Sequence, residues 1–321
     1  MTPQSKSSLN FKIIPATGWS DYELIDTGGY EKLERFGDYF LIRPEPQACW
    51  DKSMPNAGWE KTAHAKFVKA SSKDSQSEKG KWKFLKKMQE QWYINYSNKN
   101  MHLRFRLGLT AFKHVGIFPE QAENWNYIYD TILEQKDFRP KVLNLFAYTG
   151  GASLAACAAG AEVTHVDAVR QVVNWSRENM EASKLDGIRW LVDDTMKFAK
   201  RELRRGNKYH GIILDPPAYG RGPEGEKWVL EDEINELIKI CALLLEEQKS
   251  FLVLNLYSMG FSALVADNLL SSILFKCRGD LPGTMRSIIT PTLTKEFGEL
   301  YISDSFGKNL PLGTFFRMRT L

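Results

Sequence analysis

The sequence predicts an α/β fold in which a doubly wound, mostly parallel sheet with an antiparallel edge follows a smaller β-rich region. Short apolar runs alternate with helical patterns after about residue 138, and acidic residues follow several of these runs. Parallel strands that are buried on both faces read as continuous apolar runs of this kind. We therefore expect a β-rich region at residues 1–113 and a Rossmann-like domain at residues 114–321.

From Phe11 to about Ala70 we expect short strands and turns, because the segment contains a Gly-Gly turn and a strand that ends at prolines. The segment Ala70–Lys81 is polar and rich in Ser and Lys, which is typical of a mobile loop. The segment "WYINYSNKNMHLRFRLG" then alternates around Ser97–Asn100, which predicts a β-hairpin.

The elements of the second region follow the change in hydrophobic pattern. The expected strands are Val142–Phe146, Glu162–Val166, Ile188–Val192, Gly211–Leu214, Phe251–Leu256 and Ser287–Thr290. The expected helices are Ala152–Ala159, Gln171–Ser183, Thr195–Arg205, Glu231–Glu246 and Phe261–Phe275. Runs at Glu299–Ser303 and Phe315–Arg319 follow the last clear helix and predict the antiparallel edge.

The composition excludes several classes of protein. Of 321 residues, 43% are hydrophobic and 26% are charged, and no apolar run reaches the roughly 20 residues that cross a bilayer. The first residues, "MTPQSKSSLN", lack the apolar core of a signal peptide, so we expect a cytoplasmic protein with no membrane partner. The four cysteines are widely spread, which predicts neither a metal site nor a disulfide framework. The oligomeric state is left open.

Positive charge is concentrated between Lys61 and Lys113. This segment holds 13 Lys or Arg and three acidic residues, interleaved with aromatic side chains. Such a pattern suits a polyanion whose bases can stack, and it is equally expected of a solvated basic face above an aromatic core. The residues in this segment that we expect to bind RNA, if RNA is the partner, are Lys83, Lys86, Lys87, Arg104 and Arg106.

The turn "AYTGG", from Ala147 to Gly151, lies between the first expected strand of the sheet and its helix. Ligands bind beyond the carboxyl ends of the strands in such a sheet, where glycines and free helix N–H groups allow close approach. The turn is no P-loop, because Gly-Lys-Ser/Thr is missing, and it lacks the GxGxxG spacing of a dinucleotide site. A bare helix cap is the alternative interpretation.

Three acidic residues follow successive strands and narrow the choice of ligand that this edge of the sheet binds. Asp167 is placed to accept both hydroxyls of a ribose, and Asp194 is placed to accept an adenine amine. Helix capping is the alternative for both residues. Asp215 opens "DPPAYGRGP", where two prolines remove two backbone donors and stiffen the chain. This rigid turn predicts a carboxylate that faces the cleft.

The motifs "VLNLFAYTGGAS", "VTHVDAV", "WLVDDTMKF" and "GIILDPPAYGRGP" together resemble those of class I S-adenosylmethionine-dependent methyltransferases. The branch that they resemble most modifies bacterial large-subunit ribosomal RNA. The upstream stretch "HVGIFPEQAENW" is similar to the segment that precedes the first motif in that branch. The matching residues are Gly116, Phe118, Glu120, Gln121 and Asn124. Ala122 and Trp125 stand where that branch has two arginines, so the contacts to the methionine end of the cofactor are expected to differ.

The resemblance implies that the cofactor is S-adenosylmethionine and assigns roles along it. The residues expected at its methionine end are Phe118, Glu120, Gln121, Asn144, Ala147, Tyr148, Thr149, Gly150 and Gly151. Asp167 with Ala168 is expected at the ribose, and Asp194 at the adenine amine. Asp215, Pro216 and Tyr219 are expected to lie between the sulfonium and the methyl acceptor.

A base nitrogen of ribosomal RNA is the acceptor that the residues favour. Methylation of cytosine at carbon 5 needs a Cys nucleophile, and neither "DPPAYG" nor "NLYSMGFS" contains one. Asp215 or the carbonyl of Pro216 can accept from a base amine while Tyr219 stacks on the ring, although simple packing of Tyr219 is as good an interpretation. Arg221 is expected to contact a phosphate or to remain solvated.

Three other functions stay open from the sequence alone. A methyltransferase for a protein or small molecule would use Lys61–Lys113 as a lid over its substrate. A nicotinamide-dependent oxidoreductase would use the same sheet, but the missing GxGxxG pattern counts against this function. A non-catalytic RNA-binding protein would keep the cofactor fold without the reaction.

Overall fold

The computed structural model describes residues 10–70, 79–135, 137–257, 261–276 and 293–320. In the first part of the chain the elements are β1 (Phe11–Pro15), β2 (Tyr22–Gly28), β3 (Glu31–Phe36), β4 (Tyr39–Pro44), α1 (Asn56–Thr62), β5 (Ala65–Lys69), β6 (Gly80–Phe84), β7 (Gln91–Asn98), β8 (Met101–Gly108) and α2 (Ala122–Leu133). They continue as β9 (Lys141–Leu145), α3 (Gly151–Ala158), β10 (Glu162–Asp167), α4 (Arg170–Ala182), β11 (Ile188–Val192), α5 (Thr195–Arg204) and β12 (Gly211–Leu214). The remainder comprises β13 (Tyr219–Arg221), β14 (Lys227–Val229), α6 (Leu230–Leu244), β15 (Phe251–Leu256), α7 (Ala263–Lys276), β16 (Thr294–Ser303) and β17 (Asn309–Arg319).

The large sheet confirms the expected α/β architecture. Its strand order is β1-β16-β17-β15-β12-β9-β10-β11, and the neighbours from β15 to β11 are all parallel. Two apolar clusters cover its faces, one built with α2 and α3 and the other with α5, α6 and α7. The carboxyl ends of β9, β10, β11 and β12 therefore meet at one edge, where ligands bind in doubly wound sheets.

The antiparallel strands are also confirmed, but they do not form the outer edge of the sheet. β17 runs antiparallel to β15 and to β16, and β1 then pairs in parallel with β16. Residues 11–15 thus belong to the sheet of the second region, across the boundary expected at residue 113. No local pattern in this short segment indicates a partner almost 300 residues away.

The β-rich first region is present as a five-stranded sheet and a separate hairpin. The sheet has the order β2-β3-β4-β5-β6, and β7 pairs with β8 around Lys99, whose backbone is left-handed with φ of 52°. Alternate residues of the hairpin, among them Trp92 and Phe105, are buried in one cluster with α2 and α3. The hairpin therefore packs directly against the helices that carry the expected site.

Some elements were not predicted, and two predictions lie outside the described residues. Helix α1 lies where only short strands and turns were expected, and helix α2 and the hairpin of β13 with β14 had no assignment from the sequence. The expected strand Ser287–Thr290 and residues 71–78 of the expected mobile loop lie outside the part of the chain that the structure describes. Within the described ranges, no helix has the length and apolar character to cross a membrane.

Candidate active site

The turn between β9 and α3 bends sharply because three of its residues have left-handed backbones. The φ angles are 54° at Phe146, 48° at Tyr148 and 91° at Gly150. Left-handed backbone is uncommon for residues with side chains, and it persists only where the surroundings hold it in place. The turn is therefore a rigid, strained feature of the kind that is found at binding sites.

A buried chain of hydrogen bonds holds this turn from beneath. Asn144 Nδ2 donates to Ser153 Oγ at 2.9 Å, and Ser153 Oγ lies 3.0 Å from His165 Nδ1. On the other side, Ser176 Oγ donates to the carbonyl of Tyr148 at 2.6 Å. Burial lowers the pKa of His165 to about 3, so its ring is neutral. One of its ring nitrogens is then a hydrogen-bond donor and the other an acceptor.

Two glycines let aromatic rings pack directly under the turn and its upstream neighbour. A Cβ at Gly151 would lie 2.4 Å from Trp125 Cζ2, and one at Gly116 would lie 2.2 Å from Trp175 Cζ2. Gly116 also has φ of 105°, and its carbonyl accepts from Thr149 Oγ1 at 2.7 Å. Glycine is required at both positions because no side chain fits.

A pocket opens at the carboxyl ends of β9, β12 and β15. Nine of the predicted residues line it: Phe118, Gln121, Asn144, Ala147, Tyr148, Thr149, Gly150, Gly151 and Asp215. The lining also includes Asn124 and Trp125, which the resemblance singled out without assigning them to the cofactor, and Phe105 and Asn255, which the sequence did not assign to the site. The signal for Asn255 was available, since it is a polar residue near the end of the otherwise apolar strand Phe251–Leu256.

Asp167 lies beside the pocket rather than in its lining. Its Oδ2 accepts from the backbone N–H of Tyr148 and its Oδ1 from that of Val169, both at 2.9 Å. Burial raises the pKa of this carboxyl group, while the backbone N–H groups lower it. Each carboxylate oxygen keeps a second lone pair for a further donor. Ala168 follows at the same strand end and is half-buried.

Asp194 serves as the N-terminal cap of α5. Its Oδ1 accepts from the backbone N–H of Lys197 at 2.8 Å, and it is absent from the lining of the pocket. The cap satisfies one of the free N–H groups of the helix, which is the alternative that the sequence left open. The cap leaves Oδ2 and one lone pair of Oδ1 of Asp194 for the expected adenine contact, which stays a prediction.

Asp215 and Asn255 form the polar corner of the pocket. Asn255 Nδ2 donates to Asp215 Oδ1 at 2.9 Å, and burial raises the pKa of Asp215 to about 6. Asn255 Oδ1 is buried and has no hydrogen-bond partner among the described residues. A buried acceptor without a donor is costly, so this corner is suited to a ligand that donates hydrogen bonds.

Glu120 was expected at the cofactor, but it is absent from the pocket lining. It is 5% exposed, and burial raises its pKa to about 7, against the lowering effect of Lys32 and Arg43. Those two cations extend from β3 and β4, where Arg43 binds Glu34 through both Nε and Nη2. The first region therefore places charged residues close to Glu120.

The hairpin of β13 and β14 extends the "DPPAYG" turn. Trp228 fixes it, since its Nε1 donates to the carbonyl of Pro217 at 2.7 Å and its ring lies 4.7 Å from that of Phe146. Pro216 is buried, whereas Tyr219 is 52% exposed and Arg221 is exposed on the same strand. Tyr219 is therefore available to a ligand and is not a core residue.

The basic residues of the first region fall into two groups. Lys83, Lys86 and Lys87 are exposed, and Arg104 is exposed with its guanidinium 4.7 Å above the ring of Tyr93. Arg106 instead lies 4.4 Å above the ring of Trp175 and pairs with Glu178 at 2.5 Å. Its contacts are internal, which leaves little of Arg106 for an external anion.

The described cysteines lie outside the pocket lining. Cys241 is buried in α6, where burial raises its pKa to about 12, and Cys157 in α3 donates to the carbonyl of Asp186. Cys49 is exposed in the first region. The described part of the chain thus offers no thiol nucleophile in the pocket.

Comparison with known proteins agrees with this geometry. Residues 69–270 match the family model described as S-adenosylmethionine-dependent methyltransferase. A solved structure of the SAM-dependent methyltransferase from Agrobacterium tumefaciens is 35% identical, with a TM-score of 0.82 and coverage of 99% of this chain and 98% of that one.

Curated relatives named ribosomal RNA large subunit methyltransferase K/L match part of the chain. The protein from Pseudoalteromonas atlantica is 26% identical over 200 residues, or 58% of this chain. The protein from Shewanella frigidimarina is 30% identical over 139 residues, or 42% of this chain. The matches span 27% and 18% of the length of these relatives.

Proposed function

Because the chain belongs to the S-adenosylmethionine-dependent methyltransferase family, we propose that it methylates a base nitrogen of ribosomal RNA. The arrangement of Asp215 and Asn255 at the pocket carries this proposal, because it presents buried acceptors to a ligand that donates hydrogen bonds. An enzyme with this substrate would act in the cytoplasm. The family match removes the support for a nicotinamide-dependent oxidoreductase.

The pocket fits the methionine end of the cofactor. Its walls combine apolar rings such as Phe118 with the polar side chains of Gln121 and Asn124. The unpartnered Asn255 Oδ1 suits an ammonium donor or a base amine. Bound S-adenosylmethionine supplies an electrophilic methyl group on a sulfonium. The turn from Ala147 to Gly151 would hold its methionine end, and the second lone pairs of Asp167 would accept the ribose hydroxyls.

Asp215 would orient the acceptor and take its proton. Its Oδ1 is occupied by Asn255, which leaves Oδ2 for an N–H of the base. With the methyl group supplied by the bound cofactor, the Asp215 carboxylate would accept the proton that the amine loses on methylation. A pKa of about 6 suits this role, because the group is ionised at neutral pH and basic enough to take a proton. The carbonyl of Pro216 offers a second acceptor, and exposed Tyr219 a surface on which the base stacks.

The exposed basic and aromatic residues of the first region support RNA as the substrate. Lys83 lies on β6 next to exposed Phe84, and Lys86 and Lys87 follow directly. Arg104 on β8 lies over the ring of Tyr93 on β7 and adds a further cation and ring. Cations that meet phosphates together with rings that stack on bases are typical of single-stranded RNA binding. Arg221 on the hairpin would contact a phosphate near the acceptor, and Arg106 is left out of this proposed surface.

The test is methyl transfer from labelled S-adenosylmethionine to three substrates in parallel. These are ribosomal RNA from a strain that lacks the gene, the protein fraction of its ribosomes, and its small-molecule extract. We expect label in the RNA with the wild-type protein and none with Asp215→Asn. Label in the protein or the extract instead of the RNA would support a methyltransferase of another substrate class and overturn the RNA proposal.

A further inference from the structure

Arg317 is a buried arginine next to the pocket that the proposed reaction does not use. It lies in β17 and is 4% exposed. Its Nη1 donates to Glu296 Oε1 at 3.0 Å, and its Nε donates to Asn124 Oδ1 at 2.9 Å. Its Nη2 is buried without a hydrogen-bond partner among the described residues. A buried guanidinium with a spare donor is expensive to keep unless another group needs it.

Arg317 determines which way two amide side chains of the pocket face. A guanidinium can only donate, so Asn124 must present its oxygen to Arg317 and its NH₂ group to Gln121. Gln121 Oε1 accepts from Asn124 Nδ2 at 2.7 Å. The NH₂ group of Gln121 therefore remains as a donor, and it forms no hydrogen bond with any described residue. Because Gln121 lines the pocket, this donor is available to a ligand.

The register of the sheet brings the guanidinium close to the pocket. Arg317 pairs with Val253, Val253 with Ile213, and Ile213 with Asn144. The last three residues line the pocket. Adjacent strands lie about 4.8 Å apart, so Arg317 is one strand spacing beyond the pocket lining. The rings of Tyr127 and Phe315, 4.9 and 4.5 Å from its guanidinium carbon, hold it there.

The described lining of the pocket carries no charged side chain besides Asp215. No Lys or Arg is among its described lining residues, and Ala122 and Trp125 occupy the positions at which a basic residue was expected from the resemblance. The methionine end of the cofactor carries a carboxylate, which needs donors and a compensating charge in a pocket of low polarity.

We propose that Arg317 is the positioning residue for the cofactor carboxylate: it fixes the Gln121 NH₂ group toward the pocket through Asn124 and supplies a positive charge nearby. This inference rests on the proposed function, since it takes the pocket to bind the methionine end of S-adenosylmethionine. It assigns the role of the missing basic residues to a strand almost 200 residues farther along the chain.

The test compares two ligands that differ only in the carboxylate, S-adenosylmethionine and decarboxylated S-adenosylmethionine, by titration calorimetry. In Arg317→Met we expect the Kd of S-adenosylmethionine to rise about tenfold, which is 1.4 kcal/mol, while the Kd of the decarboxylated ligand changes less than about twofold. Arg319→Met is the matched control, because Arg319 lies two residues farther along β17 and pairs with exposed Glu134. It should change neither constant.

Two further variants keep the proposal testable if Arg317→Met does not fold. Arg317→Met with Glu296→Gln removes the carboxylate that would otherwise stay unpaired, and Gln121→Leu removes the donor itself. Both should show the same selective loss. Equal losses for the two ligands, or no loss, would overturn the role of Arg317 while leaving the proposed function intact. Failure of the wild-type protein to bind either ligand would overturn both.

Discussion

Adding one methyl group at Gly151 should test the turn that the proposed cofactor site depends on. In Gly151→Ala the new Cβ would lie 2.4 Å from Trp125 Cζ2, 2.6 Å from Cε2 and 3.0 Å from Nε1. Trp125 cannot move away easily, because the rings of Trp19, Tyr96 and Phe105 lie against it at centroid distances of 5.2 to 6.0 Å. The turn itself must shift, and with it the start of α3.

The expected loss of stability follows from the size of this overlap. Overpacking of a well-filled core typically costs about 1–3 kcal/mol. A chain of 321 residues unfolds with an entropy of about 0.7 kcal/mol per degree, so the melting temperature should fall by about 1.5–4.5 °C. Because the turn lines the pocket, we also expect the affinity for S-adenosylmethionine to fall by about tenfold, or 1.4 kcal/mol.

Thermal unfolding and calorimetric titration of S-adenosylmethionine measure the two effects. Gly58→Ala in α1 is the matched control, since the nearest atom to its Cβ would be Met54 Cε at 3.4 Å, an ordinary contact, and it should leave affinity unchanged. Trp125→Phe lacks the atoms that clash and should restore part of the affinity of Gly151→Ala. Wild-type affinity in Gly151→Ala, or no recovery in the double variant, would refute the reasoning.

Asp215→Asn should slow methyl transfer by at least about 100-fold and change the Kd of S-adenosylmethionine by less than about threefold. Equal losses of transfer rate and of cofactor affinity would contradict a role toward the acceptor. Burial raises the pKa of Glu120 from 4.5 to about 7, so its ionisation costs about 3 kcal/mol of stability as the pH rises through that window. Glu120→Gln should therefore unfold at higher urea concentration than wild type at pH 8 and at the same concentration near pH 4.5, and a gap that does not depend on pH would count against this. Reversing the charge of Lys83 and Lys87 should weaken RNA binding and reduce the slope of log K against log salt concentration by about 1.4–1.8. Reversing the charge of Lys200 and Lys239 is the control, and equal RNA binding by the two variants would eliminate the proposed surface.

Much of the catalytic half could be predicted because its signals are local. The strands at Ile188–Val192, Gly211–Leu214 and Phe251–Leu256 have the bounds expected from their apolar runs. Residues that follow such strands must meet at one edge, so Asp215 and the turn from Ala147 to Gly151 could be placed before the structure was known. Burial on both faces gives parallel strands this strong signature.

The features that were missed depend on contacts between distant segments. β1 pairs with β16 and Arg317 binds Asn124 across 193 residues, and neither segment carries a local sign of its partner. The buried His165 and Ser176 read as ordinary polar residues until the fold places them under Tyr148. Asp194 shows the opposite case, because capping was one of two interpretations and only the structure showed the bond to Lys197.

The most direct test of the central claim is the identity of the methylated atom. Ribosomal RNA from a strain that lacks the gene is incubated with the protein and labelled S-adenosylmethionine, digested, and analysed as nucleosides by mass spectrometry. We predict a labelled methylguanosine, methyladenosine or N-methylcytidine with the methyl group on nitrogen, because the acceptors Asp215 and Asn255 favour a ligand that donates through N–H groups. Labelled 5-methylcytidine would contradict the account, because it would need a thiol nucleophile that the described pocket does not contain.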